Sequence, residues 1–218
     1  MPIALPRGRA TDVIAAVTAI AFLIVQLGGL TDQAAVYAGF IAGRVNALAA
    51  QGVDVDIAWV PVWLTPLSAT LVHGNWLHIG SNLLALIFCG RQVEHVLGPM
   101  RLIIIYIVGA YLAAAAQWLA NPLSLDPMIG ASGAISAVLG TYALIYSERE
   151  VRAIGPVPAQ MVRMLWLIAG WTALQLMIGY VGLSIGPFGG IAIWAHIGGF
   201  IAGVVLARPM LSWRFGVR

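Results

Sequence analysis

The hydrophobic residues of this chain fall into six long runs, separated by polar stretches or by stretches rich in glycine and proline. About 20 consecutive apolar residues form an α-helix long enough to cross the hydrocarbon core of a membrane, so each run predicts a membrane helix. The fourth run is markedly short, and its end that carries Ser132 is expected to stop inside the membrane. The predicted helices are Asp12–Leu30, Leu77–Val96, Leu102–Ala120, Ser132–Ser147, Arg163–Leu183 and Ile191–Arg208.

Composition supports the same class of protein. Hydrophobic residues make up 61% and charged residues only 9% of the 218 positions, which leaves too little polar surface for a water-soluble domain. We therefore expect an all-α membrane protein with one domain over residues 1–218. The net charge of +3 is better explained by membrane topology than by nucleic-acid binding. Cys89 is the only cysteine, which excludes an internal disulfide and a cysteine-based metal cluster, and neither a metal nor a cofactor is expected.

The arginines predict how the helices are oriented. Assigning the loops to alternate sides places every arginine except Arg44 on one side, and the positive-inside rule makes that side the cytoplasm. Both termini are then cytoplasmic. With a helical rise of about 1.5 Å per residue, Ser132, His196 and His78 all reach one depth, roughly 6–12 Å below the outer surface.

The short fourth run carries a face of small side chains. Gly133, Ser136, Ala137 and Gly140 follow Ser132 at the spacing that places residues on one side of a helix. Such faces usually serve packing, because they let two helix backbones approach closely. On this motif alone packing is the better interpretation, although a reactive hydroxyl there would have a close neighbour.

The last run supplies a candidate for that neighbour. His196, Gly199 and Gly203 share one face, so the histidine lies above a glycine groove. A lone membrane histidine is more often a packed polar residue than a catalyst. A histidine above one glycine face and a serine above another, at one depth, instead indicate a nucleophile and its general base. Because no carboxylate is predicted at that depth, the expected site is a dyad of Ser132 and His196.

Five polar residues lie just before or near the start of the second run. Polar side chains are costly in hydrocarbon and normally face a bundle interior or a water-filled site. His78 and Asn82 are four residues apart and share a helix face. They either satisfy each other and a loop carbonyl, or donate to an oxyanion that forms during acyl transfer. The nearby His73, Asn75 and Ser81 are expected to form a polar mouth that admits water.

At this point the chain resembles the rhomboid family of intramembrane serine proteases. The resemblance rests on Gly-x-Ser-Gly at 130–133, on Ala-His-x-x-Gly-x-x-x-Gly at 195–203, on His73 with His78 and Asn82, and on Gly-x-x-x-Glu-x-x-x-Gly at 90–98. It implies a six-transmembrane-helix bundle whose short fourth helix carries the serine. It also implies the residue roles. Ser132 is the nucleophile, His196 the general base, His78, Asn82 and the Ser132 backbone N–H the oxyanion donors, and Gly130, Gly133, Gly199 and Gly203 support helix packing.

The chain departs from the family pattern at two positions. Many bacterial members have a Trp-Arg pair in the first connection, where this chain has Trp63 and Leu64. The best-known members have a tyrosine one turn after the serine, where this chain has Ser136. Neither change removes a group that makes or breaks a bond, so we expect an active site that differs in how its histidine is oriented.

Two other classes of protein share parts of this pattern. A transporter or channel also places polar groups at mid-depth, but it commonly shows an internal repeat, and none is evident in this sequence. A non-catalytic rhomboid-like protein would bind transmembrane helices without cutting them, and such relatives typically lose the serine or the histidine. The expected partners are transmembrane protein substrates and membrane lipids, without nucleic acid. A prokaryotic plasma membrane is the plainest location, with organelle membranes left open.

Overall fold

The computed structural model describes residues 6–49, 59–146, 153–159, 161–162, 165 and 192–216. The predicted fifth span, apart from Leu165, and the glycine-rich connection Ser184–Gly190 lie outside these residues. Regular structure in the described part is helical, and β-pairing there is limited to two isolated bridges. The helices are α1 (Arg9–Leu27), α2 (Thr31–Ala38), α3 (Ala42–Ala49), α4 (Thr65–Ser68), α5 (Trp76–Ala85), α6 (Arg91–Leu97), α7 (Pro99–Ala120), α8 (Ser132–Ile145) and α9 (Ile193–Phe215).

Three of these helices are long and apolar enough to cross a membrane, namely α1, α7 and α9. A fourth helical segment is formed by α5 and α6, which follow each other without a break. The π-helical turn Leu86–Gly90 joins them, so the helix type changes along the segment. Helix α8 has 14 residues and is therefore only about 21 Å long. A bundle of apolar helices is the fold class expected from the sequence.

The last helix extends beyond the boundary that the sequence suggested. The prediction ended it at Arg208, before Pro209, whereas α9 continues through this proline to Phe215. Arg101, near the start of α7, holds the extension, because its guanidinium donates to the Trp213 carbonyl at 3.0 Å and stacks 4.4 Å from the Trp213 ring. The end of α9 is thus tied to the beginning of α7.

Helix α8 lies at the centre of the described bundle, and most of its residues are buried. Small residues bring α7 and α9 to its surface. A Cβ added to Gly109 of α7 would overlap the Cβ of Ala137, and one added to Gly198 of α9 would overlap the Cβ of Ala116 of α7. Three helices therefore meet at near-backbone distance around the segment that begins with Ser132.

Glu94 has a structural role that the sequence did not reveal. Its side chain is buried and accepts three hydrogen bonds from the first turn of α1. The donors are Ala10 N, Thr11 N and Thr11 Oγ1, at 3.0, 2.8 and 2.7 Å. A carboxylate that accepts the free N–H groups of a helix N-terminus stabilises that terminus, so Glu94 joins α6 to α1.

Candidate active site

Ser132 is the first residue of α8 and follows a loop in which Gly130 has φ of +107°. A side chain is strained at this φ, and the space is also taken. A Cβ added to Gly130 would lie 2.5 Å from Nε2 and 2.7 Å from Cε1 of His78. Glycine is therefore required twice, once for the backbone turn and once for the close approach of the His78 ring.

His196 lies in the first turns of α9, buried, with its ring directed at the serine. The distance between Ser132 Oγ and His196 Nε2 is 2.6 Å, a short hydrogen bond. When the ring proton is on Nδ1, the serine hydroxyl donates to Nε2, which is the arrangement in which a base can take the hydroxyl proton. The structure thus brings together the two residues that the sequence paired.

The glycine faces explain why the serine and the histidine meet. A Cβ on Gly199 would overlap the backbone oxygen of Gly133, and a Cβ on Gly203 would overlap that of Ala137. Thr141 Oγ1 also donates to the Gly203 carbonyl at 2.9 Å, which fixes the two helices along their length. Helices α8 and α9 therefore contact each other through their backbones directly below the pair.

The two candidate oxyanion donors have different surroundings. The ring of His78 lies against Gly130, two residues before the serine. Asn82 is buried, and its amide donates to the His78 carbonyl at 2.8 Å, which is one turn back in its own helix. This bond uses one of the two amide hydrogens of Asn82. Of the two residues, His78 is the one that the structure shows in contact with the serine loop.

The structure differs in detail from the predicted polar mouth. His73 is completely buried, so it does not line an open mouth. Its Nε2 accepts the N–H of Ala131 at 3.4 Å, and its ring lies edge-on to His78 with centroids 4.9 Å apart. Asn75 caps α5, with Oδ1 accepting the His78 N–H at 2.8 Å, and Ser81 donates to the His78 carbonyl at 2.9 Å. All of these bonds hold the segment around His78 in place.

The sequence contained a signal for part of this arrangement. Asn75 stands three residues before His78, which is the spacing between an N-cap side chain and the backbone N–H that donates to it, and this spacing predicts a helix beginning at Trp76. The contact between His73 and Ala131 joins residues 58 positions apart, and a single sequence carries no signal for it.

The two departures from the family pattern have defined places. Ser136 is buried one turn after Ser132, and its Cβ would lie 3.2 Å from a Cβ added to Gly199. It therefore belongs to the contact between α8 and α9. Leu64 is half-buried and ends the 3₁₀ turn that precedes α4. Among the described residues, no group of three histidine, cysteine, aspartate or glutamate side chains is arranged to hold a metal ion.

Comparison with known proteins agrees with this architecture. Residues 61–213 match the family model described as the Rhomboid domain. The chain is 32% identical over 143 residues to the rhomboid protease GlpG of Pectobacterium atrosepticum, and 31% identical over 172 residues to GlpG of an Enterobacter species. It is also 30% identical over 155 residues to the Rhomboid-like protein 11, chloroplastic, of Arabidopsis thaliana.

These matches cover 64%, 75% and 67% of this chain, and 46%, 56% and 52% of the respective relatives. The chain thus spans about half the length of the curated relatives it matches. With a family model that covers most of its length, and with apolar helices packed as described, it is an integral membrane protein. It belongs to the rhomboid family.

Proposed function

We propose that this chain is an intramembrane serine endopeptidase, which hydrolyses peptide bonds in or near the transmembrane segments of membrane-protein substrates. The observation that carries the proposal is the 2.6 Å hydrogen bond between Ser132 Oγ and His196 Nε2. Support comes from the relatives, since two of those compared are named rhomboid proteases.

The proposed reaction has two acyl-transfer steps. His196 Nε2 takes the hydroxyl proton as Ser132 Oγ bonds to the scissile carbonyl carbon, and the carbonyl electron pair moves to oxygen. Collapse of this intermediate breaks the C–N bond, and the imidazolium gives its proton to the leaving amine. A water molecule then attacks the acyl-enzyme in the same way, with His196 again as base, and releases the new carboxyl terminus.

The oxyanion requires donors that are in place before the reaction. In this proposal, the backbone N–H of Ser132 at the N-terminus of α8 and the ring of His78 supply two of them, and the second amide hydrogen of Asn82 supplies the third. Loss of one such donor costs roughly 10²–10³ in rate in other acyl-transfer enzymes. Removing His78 should therefore slow the reaction without abolishing it.

The proposed topology completes the assignment. One domain over residues 1–218 has six spans and both termini in the cytoplasm, which places Ser132 and His196 toward the outer leaflet. A prokaryotic plasma membrane is the proposed location, and single-span membrane proteins are the proposed substrates. The chemistry uses only protein groups and water, so no cofactor is needed.

A fluorophosphonate probe tests the proposal, because it reacts with an activated serine. We expect the purified protein in detergent to be labelled, and we expect Ser132→Ala and His196→Ala to abolish both labelling and cleavage while the helix content is unchanged. Ser212→Ala is the matched control, since Ser212 is exposed near the opposite end of α9. Folded protein that fails to label would favour the alternative, a rhomboid-like protein that binds transmembrane helices without cutting them.

A further inference from the structure

The loop between α7 and α8, which leads into Ser132, is held by backbone pairing with the first connection. Phe40 N donates to the Met128 carbonyl at 3.0 Å, and Met128 N donates to the Phe40 carbonyl at 2.8 Å. Further along, Gly43 N donates to the Ser124 carbonyl at 2.9 Å. Phe40 and Met128 thus form one antiparallel bridge, and the bond from Gly43 comes from the first turn of α3. We call these three bonds between residues 40–43 and 124–128 the ladder.

Asn46 closes the far end of this ladder. Its amide nitrogen donates to the Pro122 carbonyl at 2.9 Å, and its amide oxygen accepts the indole N–H of Trp118 at 3.0 Å. One side chain thus binds the start of the loop and the end of α7 together. Because both halves of the amide are used, few other residues would satisfy the position.

The side chain of Phe40 packs the ladder against the helix bundle. Its side chain is 4% exposed and packs in a small core of its own with Ala42, Ala69 and Ala114, which lies beside Trp118 and Met128. Ala114 belongs to α7, and Ala69 accepts the N–H of Gly130 at 2.8 Å. This core therefore connects the ladder to the backbone two residues before the serine.

Catalytic geometry makes this support relevant. The hydrogen bond between Ser132 and His196 joins two helices, and a displacement of about 1 Å at a reacting group can cost on the order of 10²-fold in rate. Helix α9 fixes the histidine through its glycine contacts. The position of the serine also depends on the loop that leads into α8, and the ladder holds that loop over most of its length.

Building on the proposed protease function, we infer that Phe40 and Asn46 are positioning residues for the reaction. They touch neither the serine nor the histidine. They act by holding the loop 121–131 in the one path that delivers Ser132 to His196.

The test compares Asn46→Leu and Phe40→Ala with Arg44→Gln in the full-length protein. Arg44 lies in the same segment, but its guanidinium donates to the Val36 carbonyl, so its bond stays within the first connection. Three quantities are measured for each variant: the second-order rate of fluorophosphonate labelling at Ser132, kcat and KM for a cleaved membrane substrate, and the melting temperature. Labelling is expressed per folded molecule.

We expect Asn46→Leu to slow labelling and to lower kcat by about tenfold, with KM changed less than about twofold, because a small displacement acts on the chemical step. Phe40→Ala should have a larger effect and also lower the melting temperature. Arg44→Gln should label within about twofold of the wild-type rate.

The positioning role is overturned if Asn46→Leu labels at the wild-type rate, or if Arg44→Gln slows labelling as much as Asn46→Leu does. Wild-type protein that is folded yet not labelled would instead reject the proposed protease function, and the positioning role with it. Since Asn46 is not buried in the apolar core, its variant keeps the test informative even if Phe40→Ala fails to fold.

Discussion

Gly199 packs against Gly133 so closely that a single methyl group on the former would overlap the backbone oxygen of the latter. This contact lies one turn below the hydrogen bond between Ser132 and His196, and no flexible side chain stands between the two backbones to absorb a change.

A branched side chain at Gly199 should therefore separate α8 from α9. We expect Gly199→Val to lower the free energy of unfolding by at least about 1–3 kcal/mol and to lower serine labelling sharply, since overpacking moves the backbone. Gly80→Ala is the control, because a Cβ there meets nothing within 4 Å. Thermal unfolding in detergent and labelling rates measure the two effects, and wild-type behaviour of Gly199→Val would show that the two helices do not keep this contact in the membrane protein.

Gly130→Ala should inactivate the site through backbone strain and through a clash with His78. A control variant with backbone strain alone separates the two effects. The substitution places a side chain at φ of +107° and drives its Cβ into the His78 ring. Gly29→Ala meets only the first kind of cost, because Gly29 has φ of +65° and open space around it. We expect Gly130→Ala to lose labelling by about 10²-fold or more. Gly29→Ala should cost about 1–2 kcal/mol of stability and keep its labelling rate. Equal labelling rates in both variants would contradict the His78 contact.

Glu94→Gln should destabilise the protein from a site far from the serine. In the wild type, three donors share the two oxygens of the Glu94 carboxylate, whereas glutamine offers one acceptor oxygen. We therefore expect a loss of about 1–3 kcal/mol in the free energy of unfolding. Asp12→Asn breaks the more exposed pair with Arg91, at 2.8 Å, and should cost less than about 1 kcal/mol. Chemical unfolding of both variants decides the order, and a larger cost for Asp12→Asn would refute the buried cap.

The position of the cleavage site follows from the depth of the serine. The proposed topology puts the C-terminal end of α8 at the cytoplasmic face, and a helix only about 21 Å long would then leave Ser132 in the outer part of the membrane. An α-helical substrate must also unwind before its carbonyl is accessible, which favours glycine, proline or serine near the cut. Mass spectrometry of the products should place the scissile bond near the outer boundary of the substrate span. Cuts that cluster near the cytoplasmic end would contradict the proposed topology.

The features that sequence reasoning reached are those with a helical period. The spacing of Gly199 and Gly203 after His196 indicated a face for close packing, and the structure places that face on the helix of Ser132. The catalytic roles of the serine, the histidine and the oxyanion donors stay predictions until activity is measured.

The features that sequence reasoning missed depend on contacts between distant segments. The burial of Glu94 under the start of α1, and the bond from Ala131 to His73, each join residues more than 50 positions apart. Glu94 follows Gly90 and Arg91 in the sequence, and a solvent-exposed glutamate could have the same neighbours. The local sequence therefore gives no sign that this carboxylate is buried against α1. The ladder between residues 40–43 and 124–128 was missed for the same reason.

The π-helical turn Leu86–Gly90 changes the direction in which the side chains of α6 point relative to those of α5. A π-turn adds one residue to an α-helix, and each residue advances the helix by about 100°. Helix α5 can therefore present His78 to the serine loop while α6 presents Glu94 to α1. Without the inserted residue, the two side chains would be locked in the phase of a single uninterrupted helix, and aligning one with its target would rotate the other away. The π-turn thus sets the angular offset between the two contact faces, so that one continuous helical segment meets both the serine loop and α1.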